Sequence, residues 1–431
     1  MGSPWRIRTV LTGTGERLPL LLERGSGTPL FDPTVYALTE VRARNRAANT
    51  IQQHLVGIES LLLFCRAAGI DLTERIWSGD LLTVGELDGL ARAVRRPIEA
   101  LAADDKYSAA PTGSQRKRRN VVQIEAHRQG LRTRDELNVD PATAANRLRV
   151  IRTYLAWLTL RRLGRVAAST AEFARYDASR RLMLEALAAR VPATHSGPRD
   201  REGLSQLARE WLEKVIEPDH PANPWKDDHV RQRNRLIVLL LYHLGLRRGE
   251  LLALRVPDLD LRQCRLTIAR RPDDPKDPRR QQPTAKTLSR VLPISSSLAD
   301  MVSDYIIHLR RLLPGARKHG FLFVDTDRGR PLSAAALEKL FRELRQTSPE
   351  LLRGLTAHVL RHTWNDMFSE IMDQRKVRTE DEEKQRSYLM GWRDGSSSAT
   401  TYTRRHTRRR AQEASLAMQR EAAELGKDNG H

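Results

Sequence analysis

The sequence predicts a mainly α protein with a small β component, an α+β class, on three observations. Apolar residues recur at helical spacing through the first half, as in Ile51, Leu55, Ile58 and Leu62. Stretches that alternate like strands, CRLTIAR (264–270) and SRVLPI (289–294), interrupt this period in the second half. A further short strand signal, FLFV, stands at 321–324.

Residues 5–24 read as two short strands around a GTGE turn, so 1–30 form a β-hairpin-like appendage outside any domain core. Residues 31–190 read as one helical domain. Arg42, Arg44 and Arg46 precede its first apolar stripe, and a second stripe carries Leu148, Ile151, Leu155 and Leu158. Arg149, Arg152, Arg161 and Arg162 fall mainly outside that second stripe. Between the stripes lies a polar loop, 104–120, whose basic end is Arg116, Lys117, Arg118 and Arg119. The segment PATHSGPRD marks an interdomain linker over 191–204. A second domain then spans 205–408, opening with RLIVLLLYHL (235–244), apolar almost all round and hence a buried helix that ends at Gly245. Helices resume after Ser333 and near Thr356, and 409–431 read as a C-terminal helix and tail.

Lys and Arg outnumber Asp and Glu by 74 to 53, a net charge of +21. An excess of this size points to a polyanionic partner, because each cation that displaces a phosphate counterion adds affinity. A membrane is the weaker candidate: no apolar run reaches about 18 residues, and MGSPWRIRTV has no apolar signal core. Cys65 and Cys264 sit among apolar residues and read as reduced core thiols of a cytoplasmic protein.

Four patterns carry chemistry. In GLRRGELLAL (245–254) a glycine ends the buried helix and Arg247 sits at the turn, either meeting an external anion or salt-bridged to Glu250. In AHVLRHT (357–363) His358 and Arg361 share a helix face, with His362 one turn from His358. The H-x-x-x-H spacing of the two histidines lacks the Glu of a zinc helix and any further Cys or His ligands, so no metal is expected. Lys286 precedes SRVLPI, and MGWRDGSSSATTYTR (390–404) brings Trp392 and Tyr402. These residue types fit attack by a tyrosine on a phosphodiester. A phenol needs its proton accepted or its phenolate stabilised, two guanidiniums can stabilise the charge on the transferring phosphate, and a lysine can protonate the departing oxygen. No nucleotide-binding loop is present, so neither ATP nor any other cofactor is implied.

The series GLRRGE, AKTLSRVLPI, AHVLRHTW, LMGW and ATTYTR, in that order over roughly 205–405, resembles the tyrosine recombinase (phage integrase) family. The resemblance implies a helical core-binding domain and a catalytic domain that form a C-shaped clamp on DNA. It implies that Arg247 and Arg361 hold the scissile phosphate, His358 assists proton transfer with the tyrosine, Trp392 donates its indole N–H, and Tyr402 forms a 3′-phosphotyrosyl link. Lys286 takes the place of the general acid, with Lys276 as the alternative because the spacing from Lys286 to Pro293 is one residue short of the commonest form. Position 392 is Trp where most members have His. Glu250 matches an acidic residue that supports the first arginine, and His362 matches a frequent second histidine, more structural than catalytic.

DNA contacts are expected from Arg42, Arg44, Arg46, Arg116, Lys117, Arg118, Arg119, Arg149, Arg404 and Arg405. The implied function is site-specific recombination or integration of a mobile element by strand exchange through a four-way junction. Its partners are double-stranded DNA with inverted half-sites, a second protomer on each site, four protomers in the synapse, and accessory or element-encoded proteins, with no membrane. Type IB topoisomerase-like cleavage and religation is the alternative, followed by a non-catalytic DNA-binding protein of the same fold. The C-terminal segment, read as a helix that docks on a neighbouring protomer or on its own domain, weighs mildly against a topoisomerase.

Overall fold

A computed structural model of the chain describes residues 2–103, 138–193, 203–283, 285, 287–393, 411, 415, 416 and 418. The chain divides into two compact units, Met1–His195 and Ser196–His431. The described part is mainly helical, with one two-stranded and one three-stranded sheet among those residues.

In the first unit β1 (Trp5–Leu11) and β2 (Arg17–Glu23) pair antiparallel, with Trp5 opposite Glu23 and Leu11 opposite Arg17. The helices are α1 (Phe31–Tyr36), α2 (Ala48–Ala67), α3 (Leu72–Ser78), α4 (Val84–Ala93), α5 (Ile98–Ala103), α6 (Pro141–Leu163) and α7 (Ala171–Ala189). Several start on a side-chain cap: Asp71 accepts from Glu74 N–H, Asp140 from Ala142 N–H and Thr170 from Phe173 N–H, while Thr83 and Glu86 close a reciprocal capping box. The core is the α2–α6 seam, where Ile51, Leu55 and Ile58 meet Leu148, Ile151 and Leu155, all buried. Gly57 sets the closeness of that seam, since a Cβ there would lie 2.8 Å from Val150 Cγ1.

One sequence expectation for this unit needs correction. The hairpin is not an appendage: Leu21 is fully buried in the same core as the helices, and Ser3 donates to the buried Glu59 carboxylate of α2 at 2.7 Å. Alternation along β2 sends Leu21 inward, and α2 supplies the surface that covers it. Arg147, on the inner side of α6, is also buried, because its guanidinium finds the carbonyls of Val94 and Arg96 at 3.0 and 2.6 Å.

The second unit contains α8 (Gln206–Val215), α9 (Asp228–Leu244), α10 (Arg248–Ala253), strands β3 (Leu259–Asp260), β4 (Arg265–Ile268) and β5 (Arg290–Pro293), and helices α11 (Ser296–Asp304), α12 (Ala334–Thr347), α13 (Pro349–Leu352), α14 (Ala357–Gln374) and α15 (Thr379–Met390). The strands run antiparallel in the order β3-β4-β5, with Leu266 opposite Leu292 and Ile268 opposite Arg290. Helix α9 runs through the core, its Ile237, Val238, Leu240 and Leu241 all fully buried. FLFV is buried but forms no ladder; only isolated bridges, Arg255 to Phe321 and Val324 to Pro331, flank it. Cys264 lies just before β4, half-buried at φ 51, and Cys65 is buried in α2.

The Pro-rich stretch between β4 and β5 is fastened to the body by ion pairs of Arg255 with Asp274 and Arg271 with Asp258, while Arg279 pairs with Asp277 inside the stretch at 2.8 Å. Arg279 also donates to the carbonyls of Leu252 and Leu332 at 3.0 and 2.9 Å. No described helix is long and apolar enough to cross a membrane.

Truncating Leu241 to Ala should cost about 2–5 kcal/mol, the range for deleting a fully enclosed aliphatic side chain. Urea unfolding followed by far-ultraviolet circular dichroism measures it.

Candidate active site

Helix α9 ends at Gly245 in the left-handed region, φ 58 and ψ 30. Only glycine suits that turn on two counts. The conformation is strained for L side chains, and a Cβ would lie 2.9 Å from Met390 Cε and 3.0 Å from Trp364 Cγ. The turn seats Arg247 at the N-cap of α10, where its backbone N–H donates to Glu250 Oε2 at 3.0 Å. Glu250 thus satisfies one of the orphan donors at the helix start. The Arg247 side chain is 30% exposed, with Nη1 3.5 Å from Glu250 Oε1.

The Glu250 carboxylate is wholly buried and surrounded by donors. Arg290 Nη2 donates to Oε2 at 3.0 Å and Nη1 to Oε1 at 3.3 Å, and the Thr287 hydroxyl also donates to Oε1. Burial alone would raise the Glu250 pKa. The charges of Arg290 and Arg361 and the hydrogen bonds from Arg290 and Thr287 outweigh it, so the carboxyl lies below its ordinary 4.5.

Arg361 comes from α14, whose N-cap Thr356 accepts from Val359 N–H. It is 1% exposed. Nη1 donates to the Gly245 carbonyl at 2.6 Å and Nη2 to the Met390 carbonyl at 3.2 Å, and the guanidinium carbon lies 5.5 Å from the centre of the Trp392 ring. One arginine thereby joins the end of α9, the first turns of α14 and the end of α15. Trp392 is buried against Met390 and Trp364, just past Gly391 at φ 64. On α14 the exposed His358 and the buried His362 meet edge to face, ring centres 4.3 Å apart. Among the described residues no group of three or more His, Cys, Asp or Glu could hold a metal ion.

The structure therefore brings Arg247, Glu250, His358, His362, Arg361 and Trp392 to connected elements. Lys286, Tyr402, Arg404, Arg405, Arg116, Lys117, Arg118 and Arg119 lie outside the described residues. Lys276 is exposed in the fastened stretch, its N–H on Asp274 Oδ1 at 3.0 Å. In the first unit Arg46 and Arg149 are exposed, while Arg42 pairs with Glu16 at 2.6 Å and Arg44 with Glu40 at 2.7 Å.

Two groups of residues had escaped the sequence reading. One is Arg290 with Thr287, and the signal was present: in RVLPI the alternation sends Arg290, Leu292 and Ile294 inward, so the charge stands at a core position. The other locks α15 to α14. Arg386, fully buried, donates to Glu382 and to Ser369 Oγ (2.6 Å), and Ser369 donates to Glu382 Oε1 at 2.9 Å. Asn365 Nδ2 donates to the Arg361 carbonyl at 2.7 Å, and the Arg386 guanidinium reaches the Asn365 carbonyl at 3.3 Å. The pair Glu382 and Arg386 has the spacing of an ordinary surface pair on a helix, which hides its burial.

Residues 221–409 match the model of the Phage integrase family. The chain is 32% identical over 135 residues to a putative integrase/recombinase, y4rF, of Sinorhizobium fredii, covering 31% of this chain and 28% of that protein. It is 26% identical over 142 residues to tyrosine recombinase XerD of Halalkalibacterium halodurans, covering 33% and 42%. The chain thus spans less than half the length of either relative. Among solved structures, a lambda integrase dimer bound to a COC′ core site aligns at 14% identity and TM-score 0.43 over 86% of this chain and 76% of that one. The Tn1549 transposon integrase in complex with circular intermediate DNA aligns at 17% and 0.39 over 64% and 80%.

Because the folded-state pKa of Glu250 is depressed, its stabilisation is full above pH 4.5 and is lost as pH falls through the lower folded value. Glu250→Gln leaves Arg290 buried beside a neutral amide and should cost about 3 kcal/mol at pH 7. That difference should shrink steadily below pH 4.5, the ordinary value of the carboxyl. Urea midpoints of both proteins between pH 7 and pH 3 test it.

Proposed function

We propose that the chain, whose residues 221–409 match the phage integrase family, is a tyrosine recombinase, a site-specific DNA recombinase with Tyr402 as its nucleophile. The observation that carries the reading is Arg361. Its two carbonyl contacts tie the turn before Arg247 to the turn before Trp392, so three segments far apart in sequence serve one small region.

In the proposed reaction the Tyr402 hydroxyl oxygen attacks the scissile phosphorus. A bond forms from phosphorus to the phenolic oxygen, and the bond to the 5′ oxygen breaks. Arg247 and Arg361 neutralise the non-bridging oxygens as charge builds on them. Trp392 donates its indole N–H to the same phosphate, and His358 assists the removal of the phenolic proton. Lys286, or Lys276 in its place, returns a proton to the leaving 5′ oxygen. The products are a 3′-phosphotyrosyl link and a free 5′-hydroxyl. The phosphotyrosyl bond conserves the free energy of the phosphodiester, so rejoining to a new 5′-hydroxyl needs no nucleotide.

Two protomers on inverted half-sites, paired in a synapse of four, exchange strands through a four-way junction, moving a mobile element. The first unit supplies phosphate contacts that position the duplex, with Arg44, Arg46 and Arg149 exposed for it. Binding of this kind weakens steeply with added salt.

A pool of nicked duplexes with randomised sequence serves as the probe. Wild type should yield detergent-resistant adducts linked through a 3′ phosphate, and Tyr402→Phe should retain DNA binding and give none. Adducts from Tyr402→Phe would place the nucleophile elsewhere. Relaxation of supercoiled plasmid by wild type, with no junction formed between two captured duplexes, would favour a topoisomerase instead.

A further inference from the structure

Arg290 is a cation that the proposed chemistry leaves unused, although it stands at the centre of the site's charge network. Its side chain is 2% exposed and its guanidinium is committed to Glu250. Strand alternation turns it inward at the first position of β5. Nε donates to the Leu389 carbonyl at 2.6 Å, Nη1 to Thr287 Oγ1 at 3.2 Å and Glu250 Oε1 at 3.3 Å, and Nη2 to Glu250 Oε2 at 3.0 Å. Glu250 therefore serves two guanidiniums unequally. Arg290 holds it by two contacts at 3.0 and 3.3 Å, whereas the Arg247 guanidinium stands 3.5 Å from it.

That inequality has a physical consequence. A buried carboxylate draws in whatever cation is nearest, because its charge is costly when uncompensated. Without Arg290, the nearest remaining guanidinium with solvent access is Arg247. A guanidinium closed onto a carboxylate has its charge neutralised and its fork occupied, and it meets a phosphate poorly.

We infer that Arg290 is a positioning residue for the strand-cleavage reaction: by taking up most of the Glu250 charge, it keeps Arg247 from closing onto Glu250 and so keeps that guanidinium available to the scissile phosphate. Thr287 assists by donating to the same carboxylate oxygen. The Leu389 contact extends the effect to the end of α15, three residues before Trp392. The inference deepens the recombinase reading and rests on it.

The test compares two forms of a nicked duplex recovered as a covalent adduct with wild type. One carries the normal scissile phosphodiester; in the other a methyl group replaces a non-bridging oxygen, which removes the negative charge that Arg247 neutralises. Arg290→Met should slow single-turnover cleavage of the phosphodiester about 100-fold, the scale of a misplaced binding group. On the methylphosphonate its penalty should fall below about 10-fold, since little charge remains to stabilise. Arg290→Lys, which keeps the charge and serves if the Met variant does not fold, should show the same skew to a smaller degree. A role confined to folding slows both substrates alike, and equal penalties for Arg290→Lys and Arg290→Met overturn the inference while the recombinase reading stands. Failure of wild type to form an adduct with any duplex overturns that reading, and this inference with it.

Discussion

The second unit is organised around a buried carboxylate that must be neutralised. Glu250 lies out of reach of water, and its charge is tolerable only because Arg290 meets it in two places and Thr287 donates to it. Each of these donors is fixed by its own element: Thr287 and Arg290 by the approach to β5, and Arg290 again by the last turn of α15. Helix α10 can start where it does because the same carboxylate caps its first N–H. Displacement of any one element would strand a charge in the interior. The electrostatics therefore impose a geometry that apolar packing alone would leave loose.

A second buried network carries that precision into α14. The bonds among Arg386, Glu382 and Ser369 hold α15 against α14, and Asn365 passes the restraint on to the backbone of Arg361. The side chain of Arg361 then returns to Gly245 and Met390. Side chains set on helices and braced by hydrogen-bonded neighbours are held to sub-ångström tolerances. A Cβ at Gly391 would lie 2.8 Å from Arg290 Nη1, and one at Gly245 would lie 2.9 Å from Met390 Cε, so each of these turns is fitted to the side chains packed around it.

The mainly helical class was legible because period-3.6 stripes survive in the sequence where a helix covers a core on one face, as at Ile51 to Leu62 and at Leu148 to Leu158. Order and type of residue singled out Arg247, His358, Arg361 and Trp392 in the sequence, and the structure carries them on connected elements. Arg290 was hidden by its class: arginine is expected outside, and only the inward parity of its strand position marks it. Arg386 was hidden by its spacing to Glu382, which looks the same on a wet face and a dry one. The hairpin was misjudged because a strand pair gives no sign in sequence of which helix covers it. Leu21 finds its partners in α2, far along the chain. Long-range burial of this kind is a property of the assembled core and leaves little trace in local pattern.

The built-in hairpin bears on how the first unit can be dissected. Cutting the chain ahead of residue 31, a natural choice where residues 1–30 look dispensable, would uncover the α2 surface that Leu21 now seals. It would also take the Ser3 hydroxyl from Glu59, a carboxyl whose pKa burial already raises. The shortened protein would present a greasy groove with an acid at its edge, a surface suited to self-association. A fragment trimmed to the helices alone would then report on its own clumping in place of the DNA affinity it was made to measure.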